Sequence, residues 1–186
     1  MSRADLSRLE TSNRPASPAL GVLGAGGLND SNDSSPVPAW LVIFVLMLMV
    51  IITINPSAED FAWFRGLRRP PWMSFHIWLP MVWLLIYAGI YFGALRAWED
   101  TTNLLVIACF LALVALVETA TWFLCRSHRV GAGALALLGV WGYGAVLALA
   151  LWRVSPGALP PLLPFLLWTP MESLLIWQLR RINRLP

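Results

Sequence analysis

From Trp40 to the C-terminus the chain is patterned as five long apolar blocks with short polar breaks between them. They lie at approximately 39–54, 78–96, 104–125, 132–152 and 162–179. Each approaches the ~17–25 residues that a helix needs to cross a bilayer, although the first is short and the last contains Pro170. In hydrocarbon a spanning segment must close its own backbone hydrogen bonds, so blocks of this kind predict helices. The pattern therefore predicts an all-α membrane protein, a five-transmembrane-helix bundle with a long first loop. An odd number of spans places the two termini on opposite sides.

Residues 1–38 are patterned differently. They contain no aromatic residue and are rich in Ser, Gly, Pro and Asn. Such a segment buries too little apolar surface to offset its ordering entropy, which predicts a disordered polar N-terminal tail ahead of a membrane domain at 39–186. Gly and Pro break its mildest apolar part, PALGVLGAGGL, too often for a signal-peptide core. Arg3, Arg8, Arg14 and the serines suit a transit peptide, but Asp5 and Glu10 oppose that reading.

The stretch between the first two blocks, positions 55–77, is longer than an ordinary helix–helix connection. Ser57 and Asp60 have capping-box spacing, which predicts a short helix from about Ala58 to Leu67. Phe61, Trp63 and Phe64 would give it apolar contacts, and Pro70-Pro71 would stop it. A loop built this way either folds back over the bundle as a lid or lies flat among the headgroups.

Composition agrees with the pattern: 58% of residues are hydrophobic and 12% are charged, against about 25% charged in a soluble domain. All 13 basic residues are arginines. Eight of them (Arg65, Arg68, Arg69, Arg126, Arg129, Arg180, Arg181 and Arg184) fall on the side shared by the first loop, the third loop and the C-terminus, whereas Arg96 and Arg153 flank spans on the other. The positive-inside rule then predicts a multi-pass protein with a cytoplasmic first loop and C-terminus. The net charge of +3 reads as membrane orientation rather than nucleic-acid binding. Trp40, Trp78, Trp98 and Trp152 sit at span ends as interfacial anchors. Cys109 and Cys125, ~24 Å apart on one helix, cannot bridge each other. His76 and His128 lie at span ends without metal-ligand spacing, so no metal site is predicted.

The order Trp63-x3-Leu67-x2-Pro70-x-Trp72, followed by Pro80-x2-Trp83-x3-Tyr87, resembles the TspO/MBR family of tryptophan-rich sensory proteins and mitochondrial translocator proteins. Seven spaced positions agree. The last span, Pro164-Phe165-x2-Trp168 with Arg181-Ile182-Asn183 at its end, resembles that family's Pro-Tyr-x2-Trp span and terminal Asn. Trp141 falls where the family often has a tryptophan. The resemblance implies a five-helix bundle, usually a homodimer, with a hydrophobic pocket beneath the first loop. It implies ligands such as porphyrins, sterols and drug-like aromatics, and roles as sensor, regulator or carrier. By the same resemblance Trp63, Trp72, Trp83, Tyr87, Trp141, Phe165 and Trp168 are the candidate ligand-binding positions. Indoles would stack on a flat ligand, and arginines at the mouth would attract porphyrin carboxylates.

The chain also departs from the family. Ser74-Phe75 replaces a Pro-Pro pair, Val117-Glu118-Thr119-Ala120-Thr121-Trp122 replaces the third-span Asn and Trp motif, and Ile176 replaces an Asn. Glu172 stands four residues after Trp168, where the family keeps a small residue. Glu118 and Glu172 are the only acidic residues within the predicted spans. A carboxylate at the bilayer centre costs about 2.5–3.5 kcal/mol even on insertion scales, so such groups face the bundle interior and are functional by default. Glu172 therefore joins the candidate ligand positions, and Glu118 either lines the same pocket or fixes packing. On span two, Trp83, Tyr87 and Tyr91 share one face, while Gly89 and Gly93 form a close-packing GxxxG on another.

Three functions fit these features. The first is an integral membrane protein that binds tetrapyrrole, porphyrin or other hydrophobic aromatic or sterol-like ligands in a bundle pocket. The second is an enzyme that modifies or degrades such a tetrapyrrole. The third is an assembly factor with no ligand. No nucleophile–base pair or metal set is present to favour the enzyme, no cofactor is required by any motif, and the expected partners are lipid, a hydrophobic small molecule and a second copy of the chain.

Overall fold

The computed structural model describes residues 37–68 and 78–183, apart from the side chains of Phe61 and Arg65. The expected disordered tail, the Pro70-Pro71 turn and Trp72 lie outside the described residues.

The described residues are helical nearly throughout. Helix α1 runs Ala39–Ile54, α2 Ala58–Arg65, α3 Leu79–Thr101, α4 Leu104–Ser127, α5 Val130–Val154 and α6 Leu159–Asn183, with a 3₁₀ turn at Pro156–Ala158 before α6. Local sequence explains several boundaries. Asp60 donates its backbone N–H to Ser57 Oγ at 3.2 Å, the capping contact that the spacing predicts. Asn103 caps α4 by accepting from Leu105 N at 2.9 Å, as short polar side chains do at helix starts. Thr102 and His128 take left-handed conformations that end α3 and α4.

Among the described residues four helices are long and apolar enough to cross a membrane: α3, α4, α5, and α6 with its preceding turn. The shortest of them, α3, has 23 residues. At the helical rise that is ~35 Å, beyond a hydrocarbon core of about 30 Å. Helix α1 has only 16 residues. Its length is ~24 Å, short of the same core. It counts as a fifth span only when joined to α2, from which it is bent by 70°. The described residues thus form an all-helical, multi-pass membrane domain with four spans, or up to five if α1 and α2 form one.

Polar side chains tie the helices together where hydrocarbon offers no competing water. Ser173 Oγ donates to Ala134 O at 2.8 Å, Tyr143 OH to Cys109 O at 3.0 Å, and Tyr91 OH to Trp40 O at 3.2 Å. The GxxxG face of α3 packs as expected. A Cβ at Gly89 would overlap the Pro161 carbonyl, and one at Gly93 would press on Ala158 O and Phe110.

Proline gives α6 a particular polar problem. Pro170 lies inside this helix and has no N–H for the carbonyl four residues back, Leu166 O. The Trp141 indole on α5 supplies the missing donor, with Nε1 2.9 Å from Leu166 O.

The two ends of the bundle differ. At one end α2 docks on the last turn of α4: Asp60 Oδ1 lies 3.9 Å from Arg126 Nη1, and the Trp63 ring stands edge-on to His128 at 4.2 Å. Asn183, the last residue of α6, accepts from Arg68 N and donates to Arg68 O and Leu179 O, each at 2.9 Å. At the other end Ser155 Oγ donates to Asp100, joining α3 to the α5–α6 turn.

Candidate functional site

The two intramembrane carboxyls converge on one face of α3. By the helical rise, Glu172 lies ~16 Å before the end of α6 and Glu118 lies ~14 Å before the end of α4, and both of those ends, at Asn183 and Ser127, are on the arginine-rich side. Trp83 and Tyr87 lie one turn apart on α3. Trp83 Nε1 donates to Glu172 Oε1 at 3.3 Å, and Tyr87 OH donates to Glu118 Oε1. The rings of Trp83 and Tyr87 lie 5.7 Å apart and tilted by 33°. Three helices thus contribute to one aromatic and carboxyl cluster, and Trp168 approaches it one turn from Glu172 on α6.

The hydrogen bonding of this cluster is incomplete. Glu172 Oε2 and Trp168 Nε1 are sealed from solvent and make no well-aligned hydrogen bond, the two such side-chain atoms among the described residues, although the Trp168 indole lies against the Glu172 carboxyl. One is an acceptor and the other a donor. An unmade buried hydrogen bond of this kind costs ~1–3 kcal/mol per group, so native proteins rarely carry them without a reason.

The remaining expected positions lie elsewhere. Trp63 is half-buried against His128 at the arginine-rich end. Phe165 is fully buried, its ring set over Gly144 of α5 so closely that a Cβ there would overlap it. Trp141 faces outward, its N–H engaged by Leu166 O. With Ala145, Ala148, Leu149 and Trp152 of α5 and Pro160 and Leu163 of α6, it lines a groove of about 630 Å³ toward the opposite end of the bundle. The structure therefore brings together Trp83, Tyr87, Trp168 and Glu172, whereas Trp63 contacts His128, Phe165 packs on Gly144 and Trp141 bonds Leu166 O.

Glu118 completes the cluster through Tyr87, and it is 6% exposed. The signal for it was the lone carboxyl in an apolar span, which requires an interior donor. Among the described residues no group of three or more His, Cys, Asp or Glu side chains could hold a metal ion. The chemistry the cluster offers is aromatic surface with a carboxyl acceptor and an indole donor in a water-poor setting.

Comparison with known proteins bears on this arrangement. The model of the TspO/MBR family matches residues 39–182. The chain is similar to the translocator protein of Homo sapiens, 28% identical over 130 residues that cover 67% of this chain and 77% of the relative. It is similar to the translocator protein of Bos taurus, 26% identical over 134 residues (68% and 79%), and to that of Sus scrofa, 25% identical over 157 residues (79% and 93%). Because the family match begins at the start of α1 and runs to the end of α6, it takes in every helix described above: the chain belongs to the TspO/MBR family.

Proposed function

We propose that this protein binds a hydrophobic aromatic ligand, of tetrapyrrole or sterol-like size, within its helix bundle and acts as a sensor, regulator or carrier. The observation that supports this reading most is the intramembrane cluster of Trp83, Tyr87, Trp168, Glu118 and Glu172. Polar residues at this depth are retained at a cost, and aromatic faces beside them suit a flat ligand. Trp63 and Trp72 belong to the mouth of the site in this proposal; Phe165 and Trp141 remain candidate positions by the resemblance to the family, Phe165 in the bundle core and Trp141 on its outer face. The arginines gathered at that end (Arg126, Arg129, Arg180 and Arg181) support a cytoplasmic first loop, which carries α2, and a cytoplasmic C-terminus, with α1 as a fifth span and the tail at 1–38 on the other side. The functional unit is proposed to be a homodimer.

A ligand-free assembly role is favoured by a single observation, the close seating of Phe165 on Gly144, which fills one expected pocket position. Titration of the purified protein with protoporphyrin, read by tryptophan emission, separates the readings. Saturable quenching supports ligand binding, and a new product absorbance supports a tetrapyrrole-modifying enzyme. Quenching that rises without saturation overturns both in favour of assembly.

A further inference from the structure

We propose that the outer groove between α5 and α6 is a binding site for one anionic phospholipid, with the headgroup on Arg153 and an acyl chain along the groove. This site is separate from the cluster inside the bundle and lies toward the end opposite the arginine-rich loops. The groove has a volume of about 630 Å³, and every residue that lines it is apolar. Trp141, Ala145 and Leu149 recur at every fourth position on its α5 wall, and Arg153 continues the same row one turn beyond Leu149. Residues spaced by four share a helix face, so Arg153 stands at the rim of the apolar wall.

Depth and charge together say what fits. From Trp141 to Trp152 the wall rises ~16 Å along the helix, which matches one leaflet, half of a hydrocarbon core of about 30 Å. An acyl chain in that leaflet runs the same distance and carries no polar group for the wall to satisfy. Trp141 offers the groove no open donor, because its N–H is bonded to Leu166 O. Trp152 is exposed at the span end, where an indole sits at headgroup level. Arg153 is also exposed and makes no ion pair among the described residues. The acids at this end are engaged elsewhere, Glu99 by Arg96 at 3.4 Å and Asp100 by Ser155. An anionic headgroup supplies the missing partner, since a guanidinium pairs with phosphate through parallel N–H bonds. A second copy of the chain suits the groove less well. A two-fold axis along the membrane normal would bring both Arg153 side chains to one level of the contact, like charge toward like.

Two photoreactive lipids test this: a phosphatidylglycerol and a phosphatidylcholine with the same diazirine-bearing acyl chain. Each is a trace component of phosphatidylcholine nanodiscs that hold the full chain, and labelled peptides are mapped by mass spectrometry. The phosphatidylglycerol probe is expected to label Trp141–Trp152 and Leu159–Leu166 about fivefold more than the phosphatidylcholine probe, the gain for one arginine near an anionic surface. Arg153→Gln should bring the two probes within about twofold there and leave labelling of the other helices unchanged. Leu149→Trp fills the groove and should lower labelling by both probes. Both residues are exposed, so both variants should melt as the parent does. Equal labelling of the groove by the two probes would overturn the proposal, as would a preference that survives Arg153→Gln or labelling untouched by Leu149→Trp. Cross-links between two copies through the groove, with no lipid label in it, would overturn it in favour of a self-association face.

Discussion

Trp141→Phe offers a direct view of how this bundle tolerates proline inside a spanning helix. The indole N–H lies 2.9 Å from the Leu166 carbonyl, which has no intrahelical donor because residue 170 is proline. Phenylalanine keeps most of the aromatic contact with the Ala145–Leu166 groove and removes the donor. The orphaned carbonyl then faces the apolar lining of the groove. Loss of the bond and the indole packing should together cost about 1–3 kcal/mol. Pro170→Ala returns an N–H to Leu166 O, so in that background Trp141→Phe should cost less. The difference, the coupling energy, should fall at ~0.6–1.7 kcal/mol, the range seen for interhelical hydrogen bonds in membranes. Unfolding of the four proteins by denaturing detergent, followed by circular dichroism, gives the cycle. A coupling below about 0.3 kcal/mol, within the scatter of independent sites, would refute the claim that Trp141 stands in for the missing helical donor.

Other outcomes follow from single contacts. Gly89→Leu places a side chain against the Pro161 backbone carbonyl, which cannot swing aside; melting should fall sharply, or the variant should fail to accumulate folded. Gly142→Ala, where a Cβ meets nothing within 4 Å, should melt as the parent does. Tyr87→Phe strips Glu118 of its hydroxyl donor and should cost ~1–3 kcal/mol of stability, read in the same unfolding assay, with Glu118→Leu restoring much of it in the double variant. Asn183→Ala removes the carboxamide that brackets Arg68 N and O, so amide exchange at Arg68 should quicken while exchange in α4 and α5 stays unchanged. Leu20→Cys and Leu185→Cys should label from opposite faces of intact cells, and equal labelling of both from outside would contradict the proposed orientation.

What could be read from the chain alone follows from the range of each interaction. The apolar blocks, the Ser57 cap and the Gly89–Gly93 packing face all depend on residues within one or two turns of one another, so spacing reveals them. The α1–α2 bend is legible only as a short first block. The partners of the buried groups were not legible, because they are chosen by tertiary contact. Tyr87 meets Glu118 from 31 positions away, and Asn183 meets Arg68 from 115. Pro170 announces that the Leu166 carbonyl is freed, yet nothing local says that Trp141 on another helix answers it. Tyr91 shares the stripe of Trp83 and Tyr87 but donates to Trp40 on α1, since one helical face can meet two different neighbours along its length.

Ligand occupancy of the Trp83–Glu172 cluster is tested most directly by photo-crosslinking with a diazirine-bearing protoporphyrin, with labelled peptides mapped by mass spectrometry in the presence and absence of excess unlabelled protoporphyrin. Competable labelling is expected on α3 around Trp83–Tyr87 and on α6 around Trp168–Glu172, reduced by Glu172→Leu in protein that still melts cooperatively. Labelling that is not competed, or that is confined to the outer groove between Trp141 and Trp152, would contradict a ligand site within the bundle.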